Sequence, residues 1–386
     1  MRIGIDCRTI LSENARYKAG VAHYTYYLVK YLLQIDSDNQ YVLFFEDDAP
    51  PEIRDIAAKR GRVEIVRWRF ASYKRFLPYV YSHLLLSSQV GKAKLDVFHS
   101  PANVVPLRLL QSRNRPRVVV TIHDLAIYRH PEWFPAGQGF AVKYVVPKTI
   151  KFADHIIVPS RTTAADIQEF FAVREKRISI IPHGVEERYF HAAPEAPVPG
   201  RPGHPYFLFL GTLEPRKNLP RLIRAYGSLP REITSQYDLI LAGSRGWKYE
   251  DIFEAVARLP EGAKEGVKIV GYYPGENLPS LLQGAVAFLY PSLYEGFGLP
   301  VLEALAGGCP VIVSDRGALS EIAPESGVLL VDPESEASIG QAMTKAIRDV
   351  ASLAKNRAAR QEFARKFTWE RTAKETLAVY NGTSHK

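Results

Sequence analysis

Short apolar runs rich in β-branched residues alternate along the chain with longer stretches whose apolar positions recur every three or four residues. Residues 3–6, 41–45, 63–66, 97–99, 118–122 and 155–158 carry the first pattern and read as strands, while 21–34, 76–91, 139–152 and 161–171 carry the second and read as helices. The rhythm returns in the second half, with strands expected at 207–210, 239–242, 268–270, 287–290, 311–314 and 328–331. Strands and helices alternating at this spacing imply parallel sheets covered by helices, so the fold class is α/β. Between the halves, residues 191–205 (HAAPEAPVPGRPGHP) hold five prolines in fifteen positions. That density removes too many backbone donors for a central strand or a helix interior, and the segment reads as an interdomain linker. Residues 1–190 then form one doubly wound domain and 206–367 a second. Open α/β sheets bind ligands beyond the carboxyl ends of their strands, so a cleft is expected there.

A chain of 386 residues with 46% apolar content can bury two cores, which agrees with that division. No run of about 18 apolar residues is present, and the opening Met1-Arg2-Ile3-Gly4-Ile5-Asp6 reads as a strand rather than a signal peptide, so a cytoplasmic protein is expected. Cys7 and Cys309 are far apart in sequence and each borders a strand, which favours buried thiols over a disulfide or a metal knuckle. The net charge of +9 is uneven: residues 1–190 hold 28 Lys and Arg against 19 Asp and Glu, and residues 191–386 hold 22 of each. Residues 67–94 concentrate six cations and six aromatics with no acid. That mixture suits an anionic lipid surface, a phosphorylated acceptor or nucleic acid; the bland reading is a solvated basic face with its aromatics in the core. Only the pI of 9.3 argues for nucleic acid, and little retention on duplex DNA at physiological salt is expected.

Three segments that follow expected strands carry the chemistry. In residues 290–310 (YPSLYEGFGLPVLEALAGGCP), Glu295-Gly296-Phe297-Gly298 forms a loop, Pro300 opens a helix, and Gly307-Gly308 closes it. Backbone N–H groups and Glu303 at one helix N-terminus suit a ligand with phosphate and hydroxyls. Glu303 can accept two hydrogen bonds from a ribose diol, and Glu295 can face sugar hydroxyls near a carbon that becomes cationic. In residues 208–219 (LFLGTLEPRKNL), a strand ends at Gly211 and Arg216-Lys217 begin a helix, where two cations can neutralise a departing diphosphate as a metal would. In residues 120–131 (VTIHDLAIYRHP), His123 and Asp124 stand at a strand end. Gly20, in Ala19-Gly20-Val21-Ala22, opens a helix and could lay N–H groups against phosphate. Asp36-Ser37-Asp38 has the look of a metal-holding acidic pair, but its polar context (IDSDNQY) reads better as a turn, and no metal site is assigned.

The order and spacing of EGFGLPVLEALAGGCPVI, GTLEPRKN, TIHDL and the terminal FTWERTAKETLAVY resemble the retaining GT-B glycosyltransferases of family 4 across nearly the whole chain. The resemblance implies two Rossmann-like domains facing a cleft, with a C-terminal helix crossing back so that residues 368–386 join residues 1–190. It implies a hexosyltransferase that uses a nucleotide-diphosphate sugar and no other cofactor. By it, Glu303 holds the ribose, Glu295 the donor sugar, and Arg216 and Lys217 the diphosphate. His123 sits near the reacting carbon, and Gly20, Gly211, Phe297, Gly298 and Leu299 contribute to donor binding. The first glycine loop departs from the family pattern, with Ala19-Gly20 in place of consecutive glycines. TIHDL followed by Pro131-Glu132-Trp133-Phe134-Pro135 looks most like mannosyltransferases of bacterial surface polysaccharide, which points to GDP-mannose. UDP-glucose and UDP-N-acetylglucosamine stay open as donors, and a non-catalytic nucleotide-sugar-binding protein stays open as a class. A glycan or lipid-linked acceptor is expected, with Tyr17, Tyr73 and Trp133 as candidate contacts and residues 67–94 as a candidate peripheral membrane surface.

Overall fold

The computed structural model describes residues 1–10, 20–67, 86–110, 112, 114–135, 141–191, 197–201, 203–324 and 327–383. Tyr17, Ala19, Tyr73 and most of the basic, aromatic stretch 67–94 lie outside them. Of that stretch's cations, Arg67 pairs with Asp48, and Lys92 and Lys94 are exposed. The chain divides into two compact units. One comprises Met1–Leu125, Ala136–Gly184 and Trp369–Lys386; the other comprises Ala126–Pro135 and Val185–Thr368.

The first unit is built on seven parallel strands: β1 (Arg2–Asp6), β2 (Gln40–Phe45), β3 (Val63–Arg67), β4 (Val97–Ser100), β5 (Arg117–Thr121), β6 (His155–Val158) and β7 (Ile178–Ile180). Their order is β3-β2-β1-β4-β5-β6-β7. β4 and β6 are buried throughout, and β1 is buried from Ile3 onward. This explains why apolar residues stand at successive positions in them, as in Val97-Phe98 and Ile156-Ile157-Val158, since a parallel strand is covered on both faces. The helix Gly20–Ile35 packs on the helix Trp369–Tyr380, and Trp369, Ala373, Val379 and Tyr380 enter the first unit's core. Asp36 does form a turn, but a buried one. Its carboxylate accepts from Asn39 Nδ2 at 2.8 Å and from Tyr41 Oη at 2.5 Å, so it staples the chain entering β2.

The second unit has six parallel strands: β8 (Tyr206–Leu210), β9 (Asp238–Ala242), β10 (Val267–Gly271), β11 (Ala287–Tyr290), β12 (Val311–Ser314) and β13 (Val328–Val331), in the order β10-β9-β8-β11-β12-β13. A separate apolar core surrounds them. In each sheet the strand order reverses once, between β1 and β4 in the first and between β8 and β11 in the second. Such reversals are where an open α/β sheet receives a ligand.

Three boundaries differ from the sequence reading. The proline-dense segment 191–205 is not a linker between the units but part of the second, where Arg201 N donates to Asp238 Oδ2 at 2.5 Å and Gln283 Nε2 to His191 O at 2.6 Å. Ala126–Pro135 packs with the second unit because Trp247 Nε1 donates to Trp133 O at 2.9 Å and Lys248 Nζ to Glu132 O at 2.5 Å. Val185–Phe190 does so as well; Val185 N donates to Phe367 O at 3.0 Å. Both cysteines are free and buried. No helix among the described residues is long and apolar enough to cross a membrane.

Candidate active site

The two strands at the reversal of the second sheet, β8 and β11, each end in a loop that carries part of the expected site. After β8 the chain passes Gly211, whose φ of +152° is accessible to glycine. Its carbonyl sits so close to Gly243, the residue following β9, that a Cβ there would lie 1.8 Å from Gly211 O. That approach pins the loop leading to Arg216 and Lys217. These two residues lie in a short 3₁₀ turn, Pro215–Lys217, and the helix Leu219–Gly227 begins only after Asn218, so they precede the helix rather than open it. Nor are they solvated. Arg216 Nη1 reaches Glu295 Oε2 at 2.7 Å, Lys217 Nζ reaches Glu295 Oε1 at 2.5 Å, and Arg216 Nε donates to Glu214 at 2.6 Å. Lys217 Nζ also donates to Tyr290 Oη at 2.6 Å and lies 4.9 Å from that ring's centre.

Glu295, Lys217 and Glu214 are buried, so the cluster stands in a low-dielectric setting where unpaired charge is costly. Burial alone would push the Glu295 carboxyl up; Arg216 and Lys217 overcome it and hold the group below the ordinary carboxylate value, hence ionised. Lys217 is lowered by burial and by Arg216, against the opposing pull of Glu295 and Glu214. The result is a balanced set of two cations and two carboxylates whose cations already point at one place.

Glu303 occupies a different environment. It sits in the second turn of the helix Leu299–Ala306, not at its N-terminus, and is only partly exposed. Burial and the neighbouring Glu186 push its carboxyl up to about 8, against Arg188 and a hydrogen bond with Tyr189. Arg188 in turn pairs with Glu186 at 2.9 Å. The helix N-terminus itself is formed by Gly298 and Leu299. Gly298 has φ +111°, and a Cβ on it would strike Leu319 and Ile322 at 2.6 and 2.8 Å. The backbone turns there within a space that admits only glycine; Pro300 carries no N–H and Val301 N already donates to Gly298 O at 2.9 Å, so the N–H groups at the helix start are those of Gly298 and Leu299. Phe297 is buried, with its ring edge-on to Phe367.

In the first unit, His123 follows β5. Its ring Nε2 is 2.8 Å from Pro101 O, and its backbone N donates to Asn103 Oδ1 at 2.8 Å. A carbonyl only accepts, so Nε2 carries the proton and Nδ1 is the ring's acceptor when neutral. Burial lowers the His123 pKa, against Pro101 O and Asp124, which keeps the imidazole neutral near pH 7. Tyr24 stands edge-on to this ring at 4.8 Å and His183 at 5.4 Å. Behind them a buried chain runs from Tyr380 Oη to His99 Nδ1 (2.6 Å), from His99 Nε2 to Thr121 Oγ1 (2.9 Å), and from Thr121 Oγ1 to Tyr24 Oη (3.1 Å). Gly20, with φ +57°, opens the helix that supplies Tyr24. Trp133 lies in the Ala126–Pro135 segment of the second unit.

Glu214, Tyr290, Tyr189 and His183 were not singled out from sequence. Glu214 and Tyr290 lie inside the quoted motifs, and the rule that chemistry follows strand ends would have picked Tyr290; His183 follows β7, a strand with no apolar run to announce it. Tyr189 is reachable only from the fold.

A neutral acceptor histidine in one unit and, in the other, a balanced ionic cluster and a partly buried carboxyl beside a helix N-terminus, on two doubly wound parallel sheets, define a GT-B glycosyltransferase. The chain belongs to glycosyltransferase family 4: residues 19–189 match the model described as Glycosyltransferase Family 4, and residues 196–367 that of Glycosyl transferases group 1. It is 32% identical over 292 residues to the O-antigen chain mannosyltransferase B of Escherichia coli, covering 74% of each chain. With the O-antigen chain mannosyltransferase RfbU of Salmonella typhimurium it shares 27% identity over 318 residues, 81% of this chain and 80% of that one. Among solved structures, Anabaena HepE in complex with UDP and glucose superposes with a TM-score of 0.70 at 18% identity over 99% of this chain and 100% of that one, a likeness of fold.

Proposed function

We propose that the protein transfers a mannosyl group from GDP-mannose, with retention at the anomeric carbon and without a divalent metal, to a glycan or lipid-linked glycan acceptor of a surface polysaccharide. The observation that carries this reading is the convergence of Arg216 and Lys217 on one buried carboxylate at the β8–β11 reversal. When the bond between the anomeric carbon and the diphosphate breaks, the electron pair leaves on the phosphate oxygen. Two fixed cations stabilise that charge without rearranging, which is where such groups contribute most. Glu295 sits against them as an anion for the positive charge on the sugar carbon. The acceptor hydroxyl attacks from the face the leaving group vacates, and its proton passes to the departing phosphate oxygen. His123, neutral with Nδ1 as acceptor, takes a hydrogen bond from a sugar hydroxyl rather than giving one. Glu303 receives the ribose diol, and Gly20, Gly211, Phe297, Gly298 and Leu299 frame the donor. The names of the mannosyltransferase relatives support mannose as the sugar.

The test is a donor screen by release of GDP or UDP in excess EDTA, with the anomeric configuration of the product read by NMR. Turnover of GDP-mannose to an α-linked product with EDTA present is expected. Release of UDP alone would move the assignment to a UDP-sugar, complete loss restored by manganese would remove the metal-free diphosphate site, and no release from any donor would leave a nucleotide-sugar-binding protein.

A further inference from the structure

The segment Ala126–Pro135 is held to the second unit by its backbone. Trp247 Nε1 and Lys248 Nζ grip the carbonyls of Trp133 and Glu132, and a short turn closes it, with Trp133 N donating to His130 O at 3.2 Å and Phe134 N to Pro131 O at 3.2 Å. These bonds leave the side chains of His130, Glu132 and Trp133 outside the anchoring. The three are nevertheless ordered against one another. The His130 ring lies parallel to the Trp133 indole, 3.8 Å between centres and 13° between planes, and His130 Nδ1 is 3.0 Å from Glu132 Oε1. His130 and Trp133 are partly exposed and Glu132 is exposed, so the array faces solvent without collapsing into the core.

We infer that His130, Glu132 and Trp133 form a subsite for a neutral saccharide of the acceptor. A pyranose presents one face of C–H groups and an equatorial rim of hydroxyls; an imidazole–indole stack, in which His130 covers one face of the indole, edged by the Glu132 carboxylate matches both. A stack ordered in advance loses little conformational freedom when a ligand lies on it. The location fits as well. Gly246, beside Trp247, donates to Leu213 O at 3.0 Å, and a Cβ on it would touch Glu214 Cβ at 3.4 Å. The loop that grips the segment therefore also abuts Glu214, to which Arg216 Nε donates at 2.6 Å, and subsite and donor cations belong to one contiguous part of the second unit. The assignment of this saccharide to the acceptor rests on the glycosyltransferase reading above.

The test titrates mannotriose, as a neutral saccharide probe, and separately GDP, into the full-length protein and its variants by saturation-transfer NMR and calorimetry. Trp133→Ala is expected to weaken mannotriose by about tenfold or more, as removal of an anchoring indole does, with GDP affinity unchanged; Trp133→Phe keeps most of the binding and Glu132→Gln weakens it by a smaller factor. Because Trp247 and Lys248 hold backbone carbonyls, these variants keep the segment's anchors. Mannotriose that fails to bind the wild type, or binds Trp133→Ala equally well, overturns the subsite. So does loss of GDP affinity with mannotriose binding intact, since the indole would then serve the nucleobase. A wild type that binds mannotriose through Trp133 but releases no nucleotide from any donor keeps the subsite and breaks the transferase reading.

Discussion

Glu295 and Glu303 are eight positions apart on one loop and helix, yet their surroundings drive them to opposite protonation states. Glu295 is kept ionised by two cations, while Glu303, pushed up to about 8 by burial and Glu186, is mostly protonated at neutral pH in the unliganded protein. An ionised carboxylate accepts the two bonds of a ribose diol one at each oxygen, whereas the protonated form has turned one of those oxygens into a donor. GDP affinity should therefore rise as pH increases from about 6.5 through 8 and level off above that, whereas Glu303→Gln should bind weakly with no such dependence. Calorimetry across that range checks it, and a flat wild-type profile would contradict the assignment. Glu295→Ala should instead depress turnover with GDP affinity largely kept; equal losses of nucleotide affinity in Glu295→Ala and Glu303→Ala would show the roles to be wrongly divided. Removing Lys217 by Lys217→Ala should cost about 2 kcal/mol or more in kcat/KM, the scale of one charge-stabilising donor. The residue types were legible in the sequence, but their partnership was not. Arg216 and Lys217 meet Glu295 across 79 and 78 positions, a meeting set by the adjacency of β8 and β11, which no local pattern encodes.

At the level of elements, the expected strands match the observed ones to within a residue or two, because buried parallel strands write continuous apolar runs. β7 was missed: it has three residues, none of them fully buried, and so no such run. The helix Pro51–Arg60 was missed for a related reason, since only Ile53 and Ala57 are buried and no apolar stripe forms; Pro51 at its start and Gly61 just past its end were its readable marks. The helix Trp369–Tyr380 meets the strand ends through Tyr380, His99, Thr121 and Tyr24, a chain in which the Thr121 hydroxyl joins His99 on β4 to Tyr24 on the helix Gly20–Ile35. Burial lowers His99 to about 3, so it is a neutral link at physiological pH. Thr121→Val keeps the shape and strips the hydroxyl, leaving His99 Nε2 and Tyr24 Oη each without that partner. A loss of about 1–3 kcal/mol in urea unfolding is expected, with Thr121→Ser close to wild type; a neutral Thr121→Val would mean the chain is not structurally coupled.

Across the whole molecule, the charge surplus belongs to residues 1–190, where the stretch 67–94 concentrates six cations and six aromatics without an acid. Cations near an anionic leaflet contribute about 1 kcal/mol each, and flotation with anionic vesicles at low salt but not high salt, and not with neutral vesicles, is the expected outcome; no association at low salt would leave a non-membrane acceptor. The fold class and the two-sheet plan were readable because strand–helix alternation is written locally; the proline-dense segment 191–205 misled as a boundary, since it lies within the second unit and the chain crosses at Gly184 instead. The return of Ala126–Pro135 to the second unit was not readable, since its anchors are backbone carbonyls that any side chain could carry. That return makes the chain pass between its units at four points: after Leu125, Pro135, Gly184 and Thr368. For recombination among relatives, a hybrid spliced once in the proline-dense segment joins one parent's Trp247 to the other parent's Trp133 turn. The exchangeable second unit is thus discontinuous, Ala126–Pro135 together with Val185–Thr368, and, on the function and subsite proposed above, grafts that move both pieces should inherit a parent's acceptor preference along with its donor.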